Sequence, residues 1–164
     1  PHHPPPQHSF PPRRSSDLSF VCDLARDPRA NEYRIVVKLH PSERNSWRVV
    51  HPELTEVGTR VEIAETGDID WYLQRATVVV GISSTVLFEA IAYRKRVFIL
   101  DTVDSEIAQP LMRSGAAELV KDASEFVGRM SVEVESVSDS LKSYVWHEAA
   151  LENTERLVRG FLES

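Results

Sequence analysis

The chain has 164 residues, 41% hydrophobic and 27% charged, with a formal net charge of −6. That size suits one soluble domain with an adequate core, and the acidic balance argues against non-specific nucleic-acid binding, which needs positive charge. A lone cysteine, Cys22, excludes an intrachain disulfide and suits a reducing, cytoplasmic setting, and no apolar run approaches the roughly 20 residues of a membrane span.

Residues 1–18 (PHHPPPQHSFPPRRSSDL) are rich in proline and histidine and have no apolar period. That composition predicts disorder. Within it, SFPPRRSSDL (Ser9–Leu18) resembles the translation of a sequencing adapter and departs from it at Pro12. On this reading the native sequence starts near Ser19, a preceding part of the protein is missing, and the folded domain is 19–164.

From Ser19 onward, helix-like and strand-like segments alternate. SFVCDLARDPRANEY predicts a short helix ending near Pro28. RIVVKLH (34–40) is β-branched and almost uniformly apolar, the pattern of a strand covered on both faces. Residues 41–59 carry Pro, Ser, Asn and Gly and read as a loop with one short helical turn. RVEIAE is a second strand, followed by a helix that starts at Thr66 or Asp68. TVVVGI, SSTVLFEAIAYRK and RVFILD then predict strand, helix and strand. DSEIAQPLMRSGAA is a helix disturbed at Pro110, with Gly115 near its end. AELVK is a fifth strand, and Asp122 caps the helix DASEFVGRM. The remaining tail is mostly helical, with Leu141, Val145, Leu157, Val158, Phe161 and Leu162 at packing intervals.

Apolar strands alternating with helices of about ten residues imply an α/β fold, a doubly wound parallel sheet of Rossmann-like type. Ligands of such sheets bind at the carboxyl ends of the strands. Two loops occupy that position: KLHP after the first strand and GISST after the third. In GISST, Gly81 lets the backbone turn or approach a ligand, and Ser83, Ser84 and Thr85 fall at the start of a helix. Exposed helix N–H groups and neutral hydroxyls there suit a phosphate or diphosphate. Simple N-capping by serine is the plainer alternative. Glu89 sits in an otherwise apolar helical stretch and needs a partner, either a ribose or a basic side chain such as Arg94 or Lys95. In KLHP, Lys38 and His40 share one side of the strand and Pro41 fixes the exit. His40 suits a phosphate contact or acid–base work, or else a local hydrogen bond. Lys38 suits pairing with a neighbouring carboxylate. His51, His147 and the three tryptophans read as loop or packing residues. No metal-ligand spacing, P-loop or G-x-G-x-x-G appears, so no metal or cofactor is expected.

Together, VVKLHP, the D-x-x-x-x-L-x-x-A pattern at Asp68–Ala76, and VVVGISSTVLFEAIAYRKRVFIL resemble the C-terminal half of GT-B glycosyltransferases. The likeness is to capsule and cell-wall polysaccharide enzymes, including CDP-glycerol glycerophosphotransferases, and to UDP-N-acetylglucosamine 2-epimerases. It covers Arg34 to Leu100, and the chain departs from it where Arg94-Lys95-Arg96 replaces Gly-Lys-Pro. The resemblance implies a UDP- or CDP-linked donor held by Lys38, His40, Pro41, Gly81, Ser83, Ser84, Thr85 and Glu89. It also implies a partner N-terminal half that supplies the general base and leaves peripheral membrane association open, and a fragment inactive alone. A 2-epimerase half and a non-catalytic Rossmann-like module are the alternatives.

Overall fold

A computed structural model describes residues 16–132. The expected disorder of the first residues and the helical tail with its six apolar positions lie outside the described residues. Five strands, β1 (Ile35–Lys38), β2 (Val61–Ala64), β3 (Val78–Gly81), β4 (Arg96–Leu100) and β5 (Glu118–Val120), alternate with helices. Every ladder is parallel. The fold is therefore α/β and Rossmann-like. The ladders form two sheets, β1–β2 and β3–β4–β5, rather than one continuous sheet.

The strand β4 shows how the layers are built. Its alternating side chains go to opposite faces, as the twofold period of a strand requires. Phe98 and Leu100 pack with Phe20 and Leu24 of α1 (Ser16–Arg26) and with Phe126 and Val127 of α7 (Ala123–Met130). Val97 and Ile99 pack with Leu87 and Ile91 of α5 (Val86–Ala92) and Leu111 of α6 (Gln109–Arg113). Phe98 is 0% exposed, and its ring meets Phe126 edge-on at 5.0 Å, with Phe126 in turn 5.6 Å from Phe20. Burying one such side chain is worth about 1.5–3 kcal/mol. Ile35 of β1 and Val61 of β2 belong to the same cluster, so the two sheets share one core.

The first sheet is more open than its sequence suggests. Val36 is 36% exposed, and its ladder partner Glu62 forms an ion pair with Arg34. That face is polar, so the run IVVK is buried mainly on one side. The crossover from β1 to β2 contains a 3-10 turn (Pro41–Glu43), two single-turn helices, α2 (Trp47–Val50) and α3 (Glu53–Glu56), and a second 3-10 turn (Gly58–Arg60). It folds over a small cluster of Leu18, Cys22, Leu39, Trp47 and Leu54. Burial pushes the Cys22 thiol up from its ordinary pKa. Leu18 and Cys22 lie one turn apart on α1, which starts at Ser16, three residues ahead of the expected boundary at Ser19.

Local chemistry sets the remaining boundaries. Asp68 accepts the Asp70 N–H at 3.1 Å and starts α4 (Ile69–Arg75), and Asp122 accepts the Glu125 N–H at 2.8 Å and starts α7. Pro110 stands in the first turn of α6 instead of disturbing its middle, where its missing N–H costs no helical bond. Gly115 follows α6 with φ +73°, a left-handed conformation that glycine adopts without strain.

Candidate functional site

The two loops singled out in the sequence do stand at the carboxyl ends of β1 and β3, on strands that contribute to one core. The turn after β1 is held by a reciprocal cap. The His40 backbone N–H donates to Glu43 Oε2 at 3.0 Å, and Nδ1 of His40 accepts the Ser42 N–H at 3.3 Å. Ser42 Oγ lies 2.7 Å from the same Nδ1. A nitrogen that accepts a backbone N–H carries no proton, so the neutral ring has its proton on Nε2. The local bond therefore fixes the tautomer with Nε2–H as a donor, on a side chain that is exposed. Pro41 occupies the first position of the 3-10 turn. Lys38 Nζ donates to the Leu39 carbonyl at 3.3 Å and not to a carboxylate.

In GISST, Gly81 has a packing role. A Cβ at this position meets Leu87 Cδ2 at 3.2 Å, so the missing side chain lets α5 close against the end of β3. Its φ is not in the left-handed region. The helix begins at Val86, later than expected: Thr85 is its N-cap without a side-chain cap bond, and Ser84 holds the turn just before it, with Val86 N–H donating to Ser84 Oγ at 3.2 Å and Leu87 N–H to the Ser84 carbonyl at 3.1 Å. The Thr85 carbonyl accepts from Phe88 and Glu89. The first-turn N–H groups are thus satisfied internally, and the N–H groups without a hydrogen bond among the described residues are those of Ser83, Ser84 and Thr85 themselves. Ser84 and Thr85 are exposed and Ser83 is half-buried. Holding this turn and binding a ligand are compatible at Ser84, because a hydroxyl that accepts one bond still has its O–H to donate.

Glu89 is half-buried, and among the described residues no hydrogen bond or ion pair reaches its carboxylate. The basic side chains nearby are engaged elsewhere: Lys95 Nζ donates to the Gln74 carbonyl, and Arg96 pairs with Glu118 at 2.8 Å. Tyr93, past the end of α5, hydrogen-bonds Asp70 of α4, which raises its phenol pKa.

Two contributors to these loops were not singled out in the sequence. Glu43 closes the His40 turn, and its signal was an acidic residue three positions after the cap; His40 in place of Ser or Thr hid it. Glu65, just past β2, accepts from Trp47 Nε1 and from Arg48, both at 3.0 Å, while the Arg48 guanidinium lies 4.3 Å over the Trp47 ring. The Trp47 bond is the first cause holding the Glu65 carboxyl below its ordinary pKa; burial opposes it, and Arg48 adds to the lowering. This bridge pins α2 to the end of β2. Neither contact leaves a sequence signature, since the partners are far apart in the chain.

Among the described residues, no cluster of three His, Cys, Asp or Glu side chains is disposed to hold a metal, and no helix is long and apolar enough to cross a membrane. The family model described as capsule polysaccharide biosynthesis protein matches residues 8–103, more than half of the chain. The match spans α1 to β4 and so includes both strand-end loops. No curated protein and no solved structure matches the chain.

Proposed function

The chain belongs to the capsule polysaccharide biosynthesis protein family, and from that premise we propose that it is the donor-nucleotide-binding half of a GT-B glycosyl- or glycerophosphotransferase acting in surface polysaccharide synthesis. The observation that carries the reading is the state of the two strand-end loops. His40 and Ser84 are both exposed, and each uses only an acceptor site locally, leaving Nε2–H and O–H as donors. With the backbone N–H groups of 83–85, they are neutral donors of the kind that suits a diphosphate.

The proposed chemistry is displacement at the anomeric carbon or phosphorus of a UDP- or CDP-linked donor. The leaving nucleotide phosphate gains negative charge as its bond breaks. Donors already held in place by the 40–43 turn and the Ser84 turn stabilise that charge without reorganising. Glu89, half-buried and without a protein partner among the described residues, accepts from the ribose hydroxyls. Lys38 and Pro41 hold the exit of β1, and Gly81 holds the exit of β3. The general base comes from a separate N-terminal half, and this chain alone binds the donor weakly and turns nothing over.

Calorimetric titration of the protein with UDP- and CDP-linked donors tests the reading. Binding of one class, competed by the matching nucleoside diphosphate, supports it; no binding of either overturns it. A 2-epimerase half predicts interconversion of UDP-N-acetylglucosamine by the whole enzyme, visible by product analysis.

A further inference from the structure

The turn that leaves β1 carries a cation that the fold does not neutralise. Arg44 closes the 3-10 turn Pro41–Glu43, which His40 opens. Its Nε is buried without a hydrogen-bond partner, and among the described residues no carboxylate or carbonyl reaches its guanidinium. The residue as a whole is half-buried.

Acidic side chains are not scarce in this crossover, yet each is engaged elsewhere. Glu43 accepts the His40 N–H through Oε2, and successive residues of a helical turn do not face each other. Glu53 stands 3.7 Å from His51, Glu56 pairs with Arg26, Glu62 with Arg34 and Glu65 with Arg48. Lys38, the other cation at this strand end, donates to the Leu39 carbonyl. In a chain of net charge −6, an arginine left without a carboxylate is not a counter-ion of the fold.

A second unsatisfied group points to the same edge. The buried side-chain polar atoms without a partner among the described residues are Arg44 Nε, Arg60 Nε and Thr102 Oγ1. The other nitrogens of Arg60 donate to the carbonyls of Tyr33 and Ala30, so that guanidinium is held by the fold. Thr102 follows β4, whose Ile99 pairs with Gly81 of β3, so it stands past the carboxyl end of the strand beside GISST. Arg44 and Thr102 thus both lie in segments leaving strand carboxyl ends, where ligands of parallel sheets bind.

We propose that Arg44 is the cationic residue of the donor site, its guanidinium receiving the diphosphate beside His40. The proposal rests on the donor reading given above and supplies what that reading lacks. His40, Ser84 and the backbone N–H groups are neutral, whereas each phosphate of a nucleotide-linked donor is negative. A guanidinium makes charge-assisted hydrogen bonds to two oxyanion oxygens at once. The buried Nε anchors the stem, so less side-chain freedom is lost on binding. A buried charged donor without an acceptor is a cost to the free protein, and an oxyanion bound to the guanidinium offsets it.

Calorimetric titration of wild type, Arg44→Gln and Arg44→Lys with UDP, CDP and inorganic pyrophosphate, at about 50 mM and about 200 mM salt, tests this. Arg44→Gln removes the charge and should lower affinity by about tenfold or more, with a weaker salt dependence than wild type. Arg44→Lys keeps the charge without the planar fork and should fall between the two. Nucleotide-free Arg44→Gln should unfold in urea at or above the wild-type midpoint, because Arg44 has no partner in the fold. Wild-type affinity or wild-type salt dependence in Arg44→Gln overturns the proposal and leaves the donor reading standing. A lowered urea midpoint, or failure to fold, marks a structural arginine and also overturns it. Pyrophosphate binding that Arg44→Gln weakens, with no binding of UDP or CDP, upholds the anion site and overturns the nucleotide reading. No binding of any probe by wild type overturns both.

Discussion

Replacing Gly81 by alanine tests the packing that sets the GISST loop. The added Cβ lies 3.2 Å from Leu87 Cδ2, 3.6 Å from Cγ and 3.8 Å from Cδ1. Carbon atoms sit best at about 3.5–4.0 Å, so Leu87 must retreat by roughly 0.3–0.8 Å. It has little room, being 1% exposed among Leu73, Ala90, Ile91, Val97 and Ile99. Overpacking of this kind costs about 1–3 kcal/mol. Alanine recovers some of that, because glycine in a strand costs roughly 0.5–1 kcal/mol in backbone entropy. The net expectation is a destabilisation of about 1 kcal/mol, or roughly 3 °C in Tm. Urea unfolding followed by circular dichroism reads it as a lower midpoint at unchanged slope. A double-mutant cycle identifies the cause: Leu87→Val shortens the obstructing side chain, so Gly81→Ala/Leu87→Val costs less than the two single changes summed. Gly81→Ala as stable as wild type, or strict additivity in the cycle, refutes the close-packing argument.

Two further outcomes follow from individual contacts. Glu65 is held below its ordinary pKa by Trp47 and Arg48, so its contribution is present above the unfolded-state value of about 4.3 and is lost as the pH falls through the lower folded value. Glu65→Gln keeps an acceptor for the Trp47 indole but does not titrate, so the Trp47 indole NMR signal should lose its acid transition; an unchanged transition contradicts this assignment. Asp122→Ala removes the acceptor of the Glu125 N–H at 2.8 Å and should cost about 1 kcal/mol in urea unfolding; no change would mean that the cap carries no weight.

The order of elements was legible because strand and helix periods differ and the capping residues at Asp68 and Asp122 announce their helices. Other features depend on partners that the sequence places far apart. The open face of β1 follows from Glu62 on the neighbouring strand, which no reading of IVVK contains. The delayed start of α5 goes with a turn held by Ser84 ahead of the Thr85 N-cap, and Ser84 is one of three hydroxyl residues that are equivalent by composition. At Gly81 the sequence suggested a turn or a ligand approach; a packing reason, Leu87 six residues on, leaves no trace in the local sequence. At His40, the local hydrogen bond and the phosphate contact stood as alternatives. They use different ring nitrogens, so the local bond to Nδ1 prepares Nε2 as a donor.

The central claim is that the Ser84 loop receives a diphosphate, and donor affinity of Ser84→Asp measured by calorimetry tests it most directly. Aspartate can accept the Val86 N–H as the serine hydroxyl does, so the turn before α5 and the fold are retained. It also places a negative charge where the phosphate is proposed to sit, which costs several kcal/mol. The account predicts wild-type stability with donor affinity lowered by more than about tenfold. Wild-type donor affinity in a stably folded Ser84→Asp would contradict it.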